Sequence, residues 1–368
     1  MPDTMLAPLD VWYCCDMTLC NFDCAYCVSG SPDKGGPRSR ERLWQDDDSP
    51  QRFQRILGWI AHIPFSVGLR LQTIGEPFVS DEFLLAASRM SREKNIRFIE
   101  LVTNGSLLTS RLPHMVDEYE LDLSKLTLWI TYHHTEISAE RLVENAAYAQ
   151  RRGANVVVNA LLFPDTVEPI AHLHRLCAAH GLCTNVDLGQ DFDDSHEAFS
   201  FVPLLQDAQV LNSTGLVDEK TAMLSVVAAV NPKGLNCSAG HNYIFVGRGG
   251  DVYPCLGYLR YLPGTKLGSA LDPDFVPSLR PKAYSPCGVN MGCTCKEDFL
   301  HLELAQPGPG LVYKRSLGYW PPSVEQSIDR ALMQRFLQVA PSGKLKNAAF
   351  WGRHLQVRTG TSGSQTSN

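Results

Sequence analysis

The chain has 368 residues, of which 44% are apolar and 20% are charged. These values are ordinary for a globular enzyme with a buried core, and the length permits one large domain and a smaller one. The 33 Lys and Arg residues against 39 Asp and Glu residues give a net charge of −6, so the charge balance offers no reason to expect nucleic acid as a partner.

The N-terminal sequence MPDTMLAPLD lacks the basic start and the apolar run of a signal peptide. No stretch of the sequence approaches the roughly 18 apolar residues that are needed to span a bilayer. We therefore expect a cytoplasmic protein without a membrane partner. In a reducing cytoplasm, the twelve cysteines indicate metal or redox chemistry rather than a disulfide framework.

Short apolar runs alternate with amphipathic helical patterns through the first half of the chain. The apolar runs predict strands at residues 9–15, 67–73, 96–103, 125–132, 155–163 and 183–189. The helical patterns between them predict helices at residues 49–63, 80–94, 107–119, 138–153 and 169–181.

Continuous β-rich runs separated by amphipathic helices indicate a parallel α/β sheet with both faces covered. Six such units are too few for an eight-stranded barrel, so we predict a partial (β/α)6 TIM-like barrel with its site at the C-terminal strand ends. A small cysteine-rich β-hairpin/α domain is expected to follow it. We divide the chain into residues 1–195 for the barrel core, 196–236 for a bridge, 237–300 for the cysteine-rich domain, 301–358 for a C-terminal extension with a helix at Ser323–Ala340, and 359–368 for a disordered tail.

Three cysteines directly after the first predicted strand carry the main functional signal. Cys20, Cys24 and Cys27 are spaced C-x3-C-x2-C, and no fourth Cys or His follows nearby. A structural zinc site usually closes with four ligands, whereas three thiolates suit a [4Fe–4S] cube in which one iron has no protein ligand. An open coordination position is what a cofactor needs in order to bind and be activated. Tyr26 places an aromatic ring next to this cluster.

The stretch CNFDCAYC, which contains these three cysteines, resembles the cluster motif of the radical S-adenosylmethionine (SAM) enzymes. In that family the open iron is chelated by the amino and carboxylate groups of SAM. An electron from the reduced cluster cleaves SAM to a 5′-deoxyadenosyl radical, which abstracts hydrogen from the substrate. The resemblance therefore implies a [4Fe–4S] cluster and SAM as cofactors, with Cys20, Cys24 and Cys27 as the cluster ligands.

The end of the second predicted strand, QTIGEP, resembles the Gly-Gly-Glu-Pro element of this family. The backbone and the acid of that element hold the methionine amino group of SAM. The resemblance implies this role for Gly75, Glu76 and Pro77, although Ile74 stands where the family has its first glycine.

The ends of the next three strands also carry polar side chains. Thr103 and Asn104, in VTNGS, resemble the ribose-side positions of the family. Thr131 and Asn159, late in the fourth and fifth strands, are expected to point at the same SAM pocket. Each of these groups taken alone is equally well explained as an ordinary turn or cap, and the argument rests on their recurrence at successive strand ends.

The second cysteine group begins at Cys237. The stretch NYIFVGRGGDVYP predicts a β-hairpin whose open end brings Cys237 and Cys255 close together. The stretch CGVNMGCTC then supplies Cys287, Cys293 and Cys295.

This second group resembles the SPASM and twitch extensions of radical SAM enzymes, in which a Gly-x4-Cys element, here Gly250 to Cys255, precedes a downstream cysteine cluster. Those extensions hold auxiliary [4Fe–4S] clusters. The SPASM form uses more cysteines for two clusters than the five present here, so we expect one auxiliary cluster of the twitch type, ligated by four of the five. A zinc site is the alternative, because four thiolates also suit Zn²⁺.

The remaining cysteines are interpreted as structural. Cys14 and Cys15 are expected to be buried strand residues, and Cys177 and Cys183 core thiols. His133 and His134 lie just past a strand end, where catalytic groups gather in this architecture. They are the candidates for a catalytic role near the substrate.

Three hypotheses for the function follow. The first is oxidative modification of a small polar metabolite, such as dehydrogenation of a sugar or an aminocyclitol, with an external electron donor such as flavodoxin or ferredoxin. The second is maturation of a ribosomal peptide by C–C or C–S bond formation or by epimerisation. Many such maturases carry an N-terminal leader-binding domain, for which no room is expected before Cys20. The third is a non-enzymatic iron–sulfur or zinc scaffold, which would not need the GEP and TNG elements.

Overall fold

The structure is a computed structural model. It describes residues 6–24, 26–27, 38–163, 166–188, 191–192, 199–200, 216, 227, 232–290, 293 and 301–303. The predicted helix at 323–340, the predicted tail, Cys295 and most of the predicted bridge lie outside these residues. No helix in the described ranges is long and apolar enough to cross a membrane.

Strands and helices alternate along the first half of the chain, as the sequence predicts. The strands are β1 (Pro8–Cys15), β2 (Ser66–Thr73), β3 (Ile96–Thr103), β4 (Leu126–Tyr132), β5 (Asn155–Leu162), β6 (Cys183–Leu188), β7 (Asp191–Phe192), β8 (Phe199–Ser200), β9 (Asn236–Cys237), β10 (Tyr243–Val246), β11 (Asp251–Tyr253), β12 (Gly268–Ser269) and β13 (Ser285–Pro286). The helices are α1 (Ser49–His62), α2 (Asp81–Ser91), α3 (Leu108–Asp117), α4 (Ala139–Arg152), α5 (Val167–Ala179) and α6 (Leu256–Tyr261).

The capping chemistry fixes where the helices begin and end. Ser80 and Ser138 precede α2 and α4, and each hydroxyl accepts the backbone N–H of the third residue onward, at 3.2 Å. These bonds satisfy donors that the first helical turn leaves without partners. At the other end of α4, Gly153 adopts a left-handed conformation with φ of 108°, which glycine reaches without the steric cost of a side chain.

Strands β1 to β6 form one parallel sheet in the order of the sequence. Helices α1 to α5 connect successive strands. This confirms the predicted α/β partial barrel, with six parallel strands and five connecting helices among the described residues, and the C-terminal ends of all six strands lie at one end of the sheet.

The sheet does not end at β1. Strand β10 pairs with β1 in parallel, so that Asp10 lies opposite Tyr243 and Tyr13 opposite Val246. Strands β11 and β12 follow in antiparallel pairing, which gives a nine-stranded sheet. The predicted hairpin is therefore present as β10 and β11, and it continues the barrel sheet beyond β1, which the sequence does not predict. The division into a core and an auxiliary domain stays a prediction.

The two faces of the sheet have different partners. On one face, Tyr13 stacks on Phe53 of α1 at 6.1 Å between ring centroids, within the apolar layer between sheet and helices. On the other face, the adjacent Trp12 contacts Phe245 edge-on and lies against the Arg70 guanidinium. Because side chains alternate along a strand, Arg70 faces the barrel interior, where it pairs with the buried Glu100.

Candidate active site

The cysteine loop, which we define as residues 16–27, is held at the C-terminal end of β1 from two sides. On one side, Cys20 donates its backbone N–H to the Ser39 carbonyl at 3.0 Å, and Ser39 donates to the Thr18 carbonyl at 2.9 Å. On the other side, Gly75 donates to the Met17 carbonyl at 2.9 Å. The loop is thus paired as a short strand would be, although it has little regular structure of its own.

Gly75 permits the closest of these approaches. A Cβ atom at Gly75 would lie 2.0 Å from the carbonyl oxygen of Leu19 and 2.7 Å from that of Thr18. Both are backbone atoms, so no side-chain rotation relieves the contact. The glycine of the GEP element is therefore required by its packing against the cysteine loop, a physical reason that the sequence resemblance does not supply.

The three predicted cluster ligands lie together on this loop. Cys24 is buried, and Cys20 and Cys27 are half-buried. Burial, followed by the neighbouring Cys27, Glu136 and Cys20, raises the pKa of the Cys24 thiol to about 12. The mutual effect places the three thiols within electrostatic reach of one another.

No three His, Cys, Asp or Glu side chains of the described residues are gathered as for a single metal ion. In an iron–sulfur cube, however, each thiolate binds a different iron, so the ligands need not converge on one point. Three neighbouring thiols on one loop are chemically the donor set that such a cube uses. The donor set of Cys20, Cys24 and Cys27 therefore fits the predicted cluster, and their role as its ligands stays a prediction.

Glu76 is buried directly beside the cysteine loop, with 2% exposure. Its carboxylate accepts three hydrogen bonds, from the Thr103 hydroxyl at 2.6 Å, the Asn104 backbone N–H at 2.7 Å and the Phe78 backbone N–H at 3.0 Å. Burial raises the pKa of Glu76 to about 7, against the opposing effect of these donors. Pro77, also buried, begins the short 3₁₀ turn Pro77–Val79 that the Glu76 side chain caps.

The end of β3 is joined to the cysteine loop by side chains. Asn104 donates its amide N–H to the Asn21 side chain at 2.9 Å, and Asn21 donates to the Ser106 hydroxyl at 2.9 Å. The Ser106 hydroxyl donates in turn to Asn104 at 2.7 Å. The predicted residues Thr103 and Asn104 therefore lie beside Glu76 and the cysteine loop.

Thr131, Asn159 and Asn185 form a polar row across the inward face of β4, β5 and β6. Thr131 lies opposite Asn159, and Asn159 lies opposite Asn185. Asn185 donates its amide N–H to the Asn159 side-chain oxygen at 2.6 Å. The sequence analysis names the first two and misses Asn185, which the pairing register sets opposite Asn159.

His133 and His134 follow directly after β4, and both contact the cysteine loop. His133 Nδ1 lies 3.2 Å from the sulfur of Cys24. The Tyr26 ring lies nearly parallel to both imidazoles, at 5.9 Å from His133 and 5.5 Å from His134 between centroids. Burial lowers the pKa of His133 to about 4. The structure thus places these histidines against a predicted cluster ligand and Tyr26, and their catalytic role stays a prediction.

Arg38 is a further site residue that the sequence analysis misses. Its side chain is 1% exposed, and its guanidinium donates to the Phe22 carbonyl and, at 2.6 Å, to Asp23 of the cysteine loop. Arg38 stands in a polar, Gly- and Pro-rich stretch of the sequence, where an arginine is ordinarily taken for a solvent-exposed residue.

The structural interpretation of the other cysteines is largely confirmed. Cys15 and Cys177 are fully buried, whereas Cys183, at the start of β6, is only half-buried. Cys14 is half-buried on the inward face of β1, next to Trp12 in the alternation, and burial raises its pKa to about 11.

The second cysteine group lies toward the N-terminal ends of the parallel strands, whereas the cysteine loop lies at their C-terminal ends. Cys237 precedes β10 and Cys255 follows β11, so both flank the open end of the hairpin, beside the N-terminal half of β1. Cys237, Cys255, Cys287 and Cys293 are each 5–6% exposed.

Strand pairing and packing bring three of these cysteines into the same region. Cys237 lies on β9, whose partner β13 leads directly into Cys287. The Cys237 sulfur accepts the Ala239 backbone N–H at 3.4 Å. A Cβ atom built at Gly257 would lie 3.6 Å from both the Cys255 sulfur and the Val289 side chain, which places Cys255 next to the segment that follows Cys287. The predicted ligand role of this group stays a prediction.

These features define an α/β partial barrel with a three-thiol loop at the C-terminal end of its first strand. Residues 16–177 match the family model of the radical SAM superfamily. This part of the chain is a radical SAM domain, which confirms the resemblance drawn from CNFDCAYC. Radical SAM enzymes use a [4Fe–4S] cluster and SAM, the two cofactors that the sequence predicts.

The chain is also similar to several solved structures. Streptococcus suis SuiB is 16% identical with a TM-score of 0.48, over 73% of this chain and 64% of that chain, so the match spans less than two thirds of SuiB. Native anSMEcpe with bound AdoMet is 16% identical with a TM-score of 0.48, over 72% and 79% of the two chains. BtrN in complex with AdoMet and 2-DOIA is 15% identical with a TM-score of 0.36, over 72% and 80%. No curated protein matches the chain.

Proposed function

We propose that this protein is a radical SAM enzyme that oxidatively modifies a small polar metabolite, such as the hydroxyl of a sugar or an aminocyclitol. The polar row of Thr131, Asn159 and Asn185 carries this proposal, because Asn185 continues the inward-facing polar groups past Thr131 and Asn159, the two residues predicted for the SAM pocket. These side chains face the barrel interior, Thr131 near the end of β4 and Asn159 and Asn185 within β5 and β6. Hydroxyl and amide groups at fixed positions suit a hydroxylated substrate, because a site built from hydrogen-bonding groups rejects analogues that lack their partners.

The residues around the cysteine loop are arranged to hold SAM. Glu76 offers a buried carboxylate to an ammonium group, and Thr103 and Asn104 fix the orientation of that carboxylate. When bound, the cluster and SAM together supply the radical that abstracts hydrogen from the substrate. The chain itself has to position SAM and substrate and keep water away from the radical.

The second cysteine group supports the oxidative outcome. Removing a second electron from a substrate radical requires an acceptor, and we propose that four cysteines of this group hold an auxiliary [4Fe–4S] cluster for this purpose. At the usual strand rise of about 3.3 Å per residue, β1 spans about 17 Å from Asp10 near its N-terminal end to Cys15 at its C-terminal end. The substrate would then lie between donor and acceptor sites, inside the barrel, with flavodoxin or ferredoxin as the external reductant.

The test is to count iron per chain after anaerobic reconstitution and to measure 5′-deoxyadenosine after adding SAM and dithionite. About eight irons per chain, with release of 5′-deoxyadenosine, is expected from two four-iron clusters. Cys255→Ser is expected to lower the iron content by about four and to leave the release of 5′-deoxyadenosine. Cys177→Ala removes a thiol in α5 and serves as the control that keeps all the iron.

Other outcomes would redirect the proposal. About four irons in both wild type and Cys255→Ser would remove the oxidative role of the second cysteine group while keeping the radical enzyme. Zinc in place of iron, with no 5′-deoxyadenosine, would refute the proposal as a whole. The enzyme is then incubated with a panel of hydroxylated metabolites and short peptides, and mass spectrometry shows which compounds lose the mass of two hydrogens. This result separates metabolite oxidation from peptide maturation.

A further inference from the structure

Arg38 brings a buried positive charge to the cysteine loop. Its two terminal nitrogens donate to the Phe22 carbonyl and to Asp23, while its Nε is buried and has no hydrogen-bond partner among the described residues. The thiols of Cys20 and Cys27 lie within its electrostatic reach, and Cys20 also within hydrogen-bonding reach. The guanidinium therefore contacts the loop at Phe22 and Asp23 and lies within electrostatic reach of all three predicted cluster ligands.

Asp23, the carboxylate that pairs with Arg38, compensates the positive charge of the guanidinium only in part. Asp23 is shared between Arg38 and the exposed Arg40, at 2.6 Å from each. The Asp23 side chain is 42% exposed, whereas that of Arg38 is 1% exposed. Solvent screens the outer Asp23–Arg40 pair, but it does not reach Arg38, whose interaction with buried charges is correspondingly stronger.

We propose that Arg38 is a positioning residue that sets the reduction potential of the cluster held by Cys20, Cys24 and Cys27. This inference rests on the proposed function, because it requires that cluster. Taking up one electron from the external donor adds one negative charge to a site whose thiolates already carry three. A fixed buried cation beside those thiolates favours the more negative, reduced state, so it raises the potential. Arg38 also ties the loop through Phe22 and Asp23, which keeps the charge at a fixed distance.

The experiment measures the midpoint potential of the reconstituted protein by redox titration, with the reduced cluster followed by electron paramagnetic resonance. Arg38→Gln removes the charge but keeps a side-chain donor for the Phe22 carbonyl. Arg38→Lys keeps the charge. Arg40→Gln is the matched control, because it removes the exposed partner of the same aspartate.

We expect Arg38→Gln to lower the ratio of reduced to oxidised cluster about tenfold at a fixed solution potential, which corresponds to a midpoint about 59 mV more negative for a one-electron couple. Arg38→Lys and Arg40→Gln are expected to stay within about twofold of wild type. Loss of iron from Arg38→Gln together with its retention in Arg38→Lys would also support the need for a charge at this position.

Three outcomes would overturn the inference. Equal potentials for Arg38→Gln and Arg40→Gln would exclude the electrostatic role. Weaker SAM binding in Arg38→Gln with an unchanged potential would make Arg38 a ligand of SAM instead. Loss of iron from both Arg38→Gln and Arg38→Lys would leave only a packing role. A wild-type protein that binds no iron would refute the proposed function itself, which is distinguishable from all three.

Discussion

Replacement of Gly75 by alanine is the most direct test of how the site is built. The new Cβ atom would lie 2.0 Å from the Leu19 carbonyl oxygen and 2.6 Å from the Leu19 carbonyl carbon. Ordinary carbon–oxygen contacts begin more than about 1 Å further out, so either the cysteine loop or the end of β2 has to move by that amount. Such a shift breaks the bonds from Gly75 to the Met17 carbonyl and from Glu76 to the Leu19 carbonyl, which measure 2.9 Å and 2.8 Å.

The magnitude follows from these losses. Two backbone hydrogen bonds contribute about 1 kcal/mol each, and forcing an extra carbon into a packed site costs about 1–3 kcal/mol. We therefore expect Gly75→Ala to lower the free energy of unfolding of the apoprotein by about 3–5 kcal/mol. Because the loop that moves carries Cys20, Cys24 and Cys27, we also expect reconstitution to incorporate less iron into the radical SAM domain.

The assay is urea unfolding of the apoprotein, paired with iron analysis after reconstitution. Gly58 in α1 offers the control, since a Cβ there would meet nothing within 4 Å. In an exposed helix position, Gly58→Ala is expected to stabilise by about 0.5–1 kcal/mol and to leave the iron content unchanged. Our account of the site is refuted if Gly75→Ala unfolds at the wild-type urea concentration and takes up the full complement of iron.

Two further predictions concern buried charges. Because the pKa of Glu76 is raised from 4.5 to about 7, the folded apoprotein keeps a proton that the unfolded chain releases, and stability falls as the pH rises between these values. The expected fall is about 3 kcal/mol, measured by urea unfolding at a series of pH values, and Glu76→Gln should abolish it. A wild-type protein whose stability does not fall over this pH range would contradict the burial of the Glu76 carboxylate. Glu100→Ala removes the carboxylate that pairs with the buried Arg70 guanidinium and is expected to lower the free energy of unfolding by about 3–5 kcal/mol. Glu144→Ala, which breaks an exposed pair with Arg141, should change it by at most about 0.5 kcal/mol in the same assay, and equal effects of the two would show that burial does not govern these pairs.

Local sequence patterns predict the barrel core well, because each of its signals is short in range. The alternation of β1, the serine caps of α2 and α4, and the spacing of the three cysteines are all contained within a few residues. Parallel strands in chain order then bring their C-terminal ends to one edge, which places Gly75, Thr103 and Asn104 near the cysteine loop without further information.

The features that the sequence analysis misses depend on contacts between distant residues. The pairing of β10 with β1 joins Tyr13 to Val246 across most of the chain, and no local pattern specifies which edge a hairpin will extend. The burial of Arg38 depends on the carbonyl of Phe22 and the carboxylate of Asp23, and an isolated arginine in a polar stretch gives no sign of either. Asn185 is missed because it is the third residue of β6 and not near its end, and only its pairing opposite Asn159 shows that it continues the polar row.

The position of β10 has a consequence for the order in which the protein is made. Strand β1 pairs with β2 early in synthesis, but its other edge stays open until β10 is made, roughly two hundred residues later. At a translation rate of about 5–20 residues per second, an apolar strand edge stays exposed on the ribosome for about ten seconds or more. Such an edge is a template for pairing with other chains. Strand β1 also positions the cysteine loop. A nascent chain that had already bound iron at this loop would therefore continue its synthesis while the β10 side of β1 was still unpaired.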